Sequence, residues 1–278
     1  MKQGPIAIFD SGYGGLTVMK EIVAILPQYD YIYLGDNVRA PYGNHSKETV
    51  VRFTEESVRF LFESGARLII IACYTSSALA LRDLQEEFLR NSKSPYRDRK
   101  ILGVIRPVAE KAVQESKSGR IGIVGTRATI QSKSFETELK NQKSNINISM
   151  QACPLLVPLI EEHWHTKPEA LMILKKYLRP LKSRNIDTLI LGCTHYPLMI
   201  KDFKRIMGKQ INVLNSGKII AESLCDYLKR HPEIESQLTK GESRKFFTTD
   251  DPEKFAEFGK KFAGMDITDI KKNNHLDL

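Results

Sequence analysis

No Cys-x-x-Cys pair, no long apolar run and no low-complexity tract occur in this chain of 278 residues, which holds four cysteines and one tryptophan. The missing apolar run excludes a helix of the roughly 18 residues that a membrane span needs. Met1-Lys2 lead straight into Ile6–Phe9, which Asp10 interrupts, so no signal peptide fits at the start. Without a secretion signal, Cys73, Cys153, Cys193 and Cys225 read as thiols rather than bridges, and the expected compartment is the cytoplasm. No lysine stands in a Schiff-base context, which disfavours pyridoxal chemistry.

What is present is ordinary globular material, 41% hydrophobic and 27% charged. A chain this long is comfortable as two lobes and buries about three-quarters of its unfolded surface without disulfide staples. Lys and Arg total 42 against 33 Asp and Glu, a net charge of +9. The cations are scattered, with Lys175-Lys176, Lys260-Lys261 and Lys271-Lys272 set among acids or on solvated faces. That distribution suits solubility and a mild attraction for an anionic substrate better than a nucleic-acid surface.

Short apolar runs alternate with amphipathic segments almost throughout. Expected strands are Ile6–Phe9, Tyr31–Leu34, Leu68–Ala72, Ile101–Ile105, Ile121–Val124, Ile146–Met150, Thr188–Leu191, Ile211–Leu214 and Phe246–Thr248. Most are continuous rather than alternating, which suits strands buried on both faces. Leu16, Met19, Ile22, Val23 and Leu26 recur at helical spacing, and segments 47–64, 77–90, 167–183 and 216–230 behave likewise. Such alternation implies an α/β fold of mostly parallel sheets flanked by helices.

A faint internal repeat sets Ala66–Thr75 against Ile186–Thr194: each is an apolar strand ending in cysteine, then hydroxyl residues opening a helix. Gly119–Thr126 similarly echoes Pro5–Asp10. The chain therefore reads as two pseudo-symmetric α/β lobes facing a cleft, residues 1–97 plus 210–278 and residues 98–209. The polar stretch Asn91–Lys100 and Gly208-Lys209-Gln210 mark the crossovers, and Lys271–Leu278 reads as a frayed end.

In parallel α/β sheets ligands bind beyond the carboxyl ends of strands. Asp10-Ser11, Cys73-Tyr74-Thr75, Thr126 and Cys193-Thr194-His195 all fall at such ends, and Pro41-Tyr42-Gly43 follows another. A lone buried cysteine is usually a small hydrophobe. A cysteine at a strand end before a helix N-terminus has a thiolate-favouring setting, and here there are two. Two thiols suit inversion of an α-carbon, one removing a proton from one face while the other delivers a proton to the opposite face. Helix N-termini and the hydroxyls of Thr75, Ser76 and Thr194 could hold the substrate carboxylate as the carbanion forms.

Competing readings weaken on inspection. Gly12-x-Gly14 after a strand resembles a dinucleotide turn, but Thr17 replaces the third glycine and Asp10 would repel a pyrophosphate. Those glycines instead let the backbone close around a small ligand, with Asp10 facing its ammonium group or orienting Cys73. Cys193-x-His195 is a weak metal signal without further ligands, His163-Trp164-His165 is equally weak, and no metal is expected. Cys153 and Cys225 read as structural.

The motifs Asp10–Thr17, Gly35-Asp36, Pro41–Gly43, Ala72–Thr75, Gly125-Thr126-x-x-Thr129, Pro154–Glu161 and Leu191–Leu198 occur in order over most of the chain. Together they resemble the glutamate racemases of the cofactor-independent aspartate/glutamate racemase family. The resemblance implies two α/β lobes and cofactor-free interconversion of L- and D-glutamate for bacterial cell-wall synthesis. It makes Cys73 and Cys193 the proton-transfer residues, assisted by Asp10 and His195, with Glu161 completing the catalytic set. Ser11, Pro41, Tyr42, Gly43, Tyr74, Thr75, Thr126, Thr129 and Thr194 would then hold the substrate. Many members are homodimers; some respond to a cell-wall precursor and some bind DNA gyrase, traits this sequence does not display.

Two positions depart from the family pattern. Tyr74 stands where asparagine is usual, trading an amide donor and acceptor for a bulky ring with a distant hydroxyl; either the ring turns away or the pocket is reshaped. Asn215 stands where aspartate is common and is expected to matter less. Alternative readings are a racemase of another acidic amino acid such as aspartate, or an impaired racemase-like binding protein that regulates gyrase.

Overall fold

The structure, a computed structural model, describes residues 3–273. Ten strands among these residues form two sheets, and every pairing is parallel. The first lobe opens with β1 (Ile6–Asp10), α1 (Leu16–Ile25), β2 (Tyr31–Gly35), α2 (Lys47–Glu63), β3 (Leu68–Ile71), α3 (Tyr74–Leu79), α4 (Leu81–Gln85) and β4 (Lys100–Gly103). The second contains α5 (Ile105–Glu115), β5 (Arg120–Gly125), α6 (Arg127–Gln131), α7 (Ser134–Gln142), β6 (Asn147–Ala152), α8 (Leu156–Glu161), α9 (Pro168–Ser183), β7 (Thr188–Gly192), α10 (Ile200–Met207) and β8 (Asn212–Val213). The chain then returns through α11 (Ser216–Arg230), α12 (Pro232–Glu235), β9 (Arg244–Thr248), α13 (Pro252–Phe258) and β10 (Ile270–Lys272).

The strand orders are β10-β9-β2-β1-β3-β4 and β6-β5-β7-β8. Both sheets thus share one permutation, second-first-third-fourth, and the first adds β9 and β10 outside β2. This is the expected pseudo-symmetry. β1, β2, β3 and β7 are buried at every residue, as their continuous apolar runs require.

The lobe boundaries differ from expectation by a few residues. β4 pairs with β3 and β8 pairs with β7, so sheet membership changes after Gly103 and after Val213 rather than at 98 and 210. Ile105, expected in a strand, opens α5 instead. Lys271 and Lys272, expected in a frayed end, pair with β9 in β10, while residues 274–278 lie outside the described residues.

The lobes are joined through packing as well as through the chain. One apolar cluster combines Ile8, Leu16 and Ile70 of the first lobe with Ile123, Phe135 and Ile190 of the second, and includes Ile220 and Leu224 of α11. Asn215 caps α11 by accepting the Lys218 N–H at 3.5 Å, a role asparagine fills as well as aspartate. No helix among the described residues is long and apolar enough to cross a membrane.

Candidate active site

Equivalent strands deliver the two thiols. Cys73 follows β3 and Cys193 follows β7, each the third strand of its lobe. In both sheets the chain order reverses between the first and third strands, and the crevice beyond such a reversal is where doubly wound sheets bind ligands.

Cys73 caps α3. Its Sγ accepts the Ser76 N–H at 3.4 Å and lies 3.3 Å from Ser11 Oγ. The expected thiolate-favouring effect of the helix terminus does not prevail. Burial, with the Asp10 charge adding to it, pushes the Cys73 thiol up to about 11, against the hydrogen bonds from Ser11 and Ser76. α3 has only six residues, and exclusion of water from the thiol outweighs its short dipole.

Cys193 has different company. Its Sγ lies 3.8 Å from His195 Nδ1, and His195 Nε2 lies 2.9 Å from Glu161 Oε1. Burial alone would strip the imidazole of its proton, yet its bonds to Cys193 and Glu161 outweigh burial and hold it well above the ordinary histidine range. Among the described residues no group of three or more His, Cys, Asp or Glu side chains is placed to hold a metal ion.

Asp10 is fully buried at the end of β1. It accepts the Gly12 N–H at 3.2 Å and the Thr194 hydroxyl at 3.3 Å, so it reaches across to the second lobe and acts on Cys73 through its charge. Burial raises its carboxyl above the usual range, opposed chiefly by the charge of His195. Three further hydroxyls converge across the lobe boundary. Thr75 Oγ1 lies 3.0 Å from Thr126 Oγ1 and 3.2 Å from Thr129 Oγ1.

These groups enclose a cavity of about 30 Å³, room for little more than a water. The first lobe contributes Ser11, Pro41, Tyr42, Gly43, Cys73, Tyr74 and Thr75; the second contributes Thr126, Glu161, Cys193, Thr194 and His195. Asp10 and Thr129 stand behind this lining. Gly12, expected to let the backbone close around a small ligand, also lines it, as do Ala40, Val157 and Gly192, whose small or apolar side chains carry no chemical signal in the sequence. A cavity this small must widen before an amino acid can enter. A larger cavity, about 820 Å³, lies among α3, α4, α5, α7 and α11, and neither Cys73 nor Cys193 lines it.

Two side chains expected to hold substrate turn elsewhere. The Tyr42 hydroxyl donates to buried Asp36, which also accepts from Arg39 Nε at 2.7 Å and from the Thr249 hydroxyl at 3.0 Å. The Tyr74 ring stacks on Phe135, centroids 5.8 Å apart and planes 23° from parallel, within the apolar cluster between the lobes.

Comparison with known proteins agrees with this geometry. The Asp/Glu/Hydantoin racemase family matches residues 8–224. A glutamate racemase from Geobacter metallireducens is 38% identical over 265 residues, covering 95% of this chain and 94% of its own. Another, from Persephonella marina, is 41% identical over 262 residues, covering 94% of each. Among solved structures, a glutamate racemase isoform from Bacillus anthracis matches with a TM-score of 0.88 at 34% identity, covering 99% of this chain and 98% of that one. Glutamate racemase from Francisella tularensis in complex with D-glutamate matches with a TM-score of 0.87 at 30% identity, covering 100% and 99%. The chain belongs to the Asp/Glu/Hydantoin racemase family and is a racemase.

Proposed function

We propose that the chain is a glutamate racemase that works by two-thiol proton transfer and supplies D-glutamate for peptidoglycan. The observation that carries this reading is that Cys73 and Cys193, at equivalent strand ends of two lobes, line one cavity. Relatives named glutamate racemase, similar over nearly their whole length, supply the substrate.

In the direction where Cys73 is the acid, a role its burial suits, Cys193 is the base. The Cys193 thiolate takes the α-proton and becomes a thiol, and the bonding pair stays on carbon as a carbanion. Cys73 gives its proton to the opposite face and becomes a thiolate. The enzyme ends with the roles exchanged, set for the reverse direction. His195 faces Cys193 as a charge partner, with Glu161 holding its far nitrogen. Thr75, Thr126 and Thr194 present hydroxyls to the substrate's carboxylates, where charge builds as the proton leaves. This sequence needs no cofactor.

Proton NMR of the protein with L-glutamate, then D-glutamate, in deuterated buffer without added cofactor tests the reading. Both α-proton signals should fade as optical rotation decays, and Cys73→Ala or Cys193→Ala should abolish net racemisation, the two losses not adding. Substantial turnover in either variant would refute the two-thiol mechanism; exchange with aspartate in place of glutamate would move the substrate.

A further inference from the structure

Tyr74 and Phe135 link the two thiol-bearing strand ends. Tyr74 is the residue after Cys73, and its ring stacks on Phe135 of the opposite lobe at 5.8 Å. Phe135 in turn fills the space beside Gly192, the residue before Cys193: a Cβ placed on Gly192 would lie 2.9 Å from Phe135 Cε2. A single ring stack therefore connects Cys73-Tyr74 to Gly192-Cys193 across the lobe boundary.

The ring, not the hydroxyl, holds this arrangement. Tyr74 is 2% exposed, and its hydroxyl is buried without a hydrogen-bond partner among the described residues. Ser216 acts on the phenol from beyond ordinary hydrogen-bond distance, and its own hydroxyl donates to the Leu191 carbonyl at 3.1 Å. Next to the stack, the Ser134 hydroxyl donates to the Ala78 carbonyl at 2.8 Å, a second and weaker contact between α3 and α7. Inversion demands that two groups on opposite faces of one carbon both lie within proton-transfer reach, and small misplacements of such groups are costly.

We propose that Tyr74 is a positioning residue: its stack on Phe135 sets how closely the Cys73 and Cys193 strand ends approach when the lobes close. The proposal rests on the two-thiol reading above. It predicts a phenotype that simple loss of stability does not produce. With the stack removed, one thiol still takes the α-proton, but delivery from the other side slows. The carbanion then lives longer, the first thiol exchanges its proton with solvent, and deuterium returns to the face it left.

The experiment compares wild type, Tyr74→Leu, Tyr74→Phe and Phe135→Leu in deuterated buffer with L-glutamate. The quantity read is the ratio of α-deuterium exchange with retention to racemisation, alongside kcat, KM and melting temperature. In Tyr74→Leu, kcat should fall about tenfold or more and the ratio should rise severalfold, with KM changing less than about threefold. Phe135→Leu should do the same from the other lobe, which keeps the test decisive if Tyr74→Leu fails to fold. Tyr74→Phe should restore wild-type behaviour. A wild-type ratio in the leucine variants, or a Tyr74→Phe variant as impaired as Tyr74→Leu, would overturn the proposal. Inactive wild-type protein would count against the two-thiol reading itself, whereas active wild type with unaltered variants counts against Tyr74 alone.

Discussion

Glu161 Oε1 lies 2.9 Å from His195 Nε2, on the side of the imidazole away from Cys193. The carboxylate therefore acts on the second thiol through the ring between them, and its worth is measurable without touching either thiol. Glu161→Gln keeps the shape and removes the charge. His195, held well above the ordinary range partly by that charge, should then lose its proton at lower pH. The alkaline limb of the activity profile should shift to lower pH, and kcat should fall by about tenfold to a hundredfold, part of what a positioned acid-base group contributes. An unmoved alkaline limb would show that Glu161 does not set the histidine's charge.

Cys73 makes stability depend on alkaline pH. Its thiol is raised from 9.0 to about 11 by burial and then by Asp10, so the folded state holds the proton more tightly than the unfolded chain. That contribution is complete below about pH 9 and is lost as pH climbs towards 11. Two units correspond to about 3 kcal/mol at the far end of the window. Melting temperature measured between pH 8 and 11 should drop less steeply for Cys73→Ala than for wild type. Parallel curves would mean that the thiol is not the group titrating there.

Most strands were legible because a parallel strand buried on both faces is a continuous apolar run, as in Ile-Ala-Ile-Phe of β1 and Leu-Ile-Ile-Ile of β3. β10 escaped notice because Ile270-Lys271-Lys272 is an edge strand two-thirds lysine, and only pairing with β9 makes it a strand. The helix expected over 77–90 begins at Tyr74 and breaks at Ala80, and Cys73, its cap, starts it early. Asp10, Cys73 and Cys193 were legible as candidates because they sit at strand ends, which local pattern reveals, whereas Glu161, at the end of α8, entered only through the family resemblance. The directions taken by Tyr42 and Tyr74 were not legible, because they depend on Asp36 and Phe135 in the folded chain. The height of the Cys73 pKa was hidden for the same reason: water exclusion is a property of the closed lobes.

Lobe closure depends on how near two backbones can come. A Cβ on Gly43 would lie 2.5 Å from Thr126 Cβ on the opposite lobe, a separation no packing tolerates. Gly43→Ala should hold the lobes apart, leave each lobe's core intact and lower kcat/KM by about a hundredfold, the scale of a misplacement near 1 Å. Melting temperature should fall as well, because parting the lobes opens the apolar cluster they share. Wild-type kcat/KM in Gly43→Ala would mean that turnover does not require this closed approach.

Tyr42 separates a residue's presence at the site from its use there. It lines the cavity, yet its hydroxyl donates to Asp36 beneath the loop, beside the Arg39 guanidinium. In this structure the side chain anchors the loop, and its hydroxyl is already engaged by Asp36. Tyr42→Phe removes one donor from a buried carboxylate that keeps Arg39 and Thr249. Stability should fall by about 1–3 kcal/mol, the cost of weakening a buried polar network. KM for glutamate should stay within about twofold, since no substrate contact is lost. A KM raised tenfold with unchanged melting temperature would reverse the assignment: the hydroxyl would then reach substrate once the lobes part, and the bond to Asp36 would belong only to the closed, empty form.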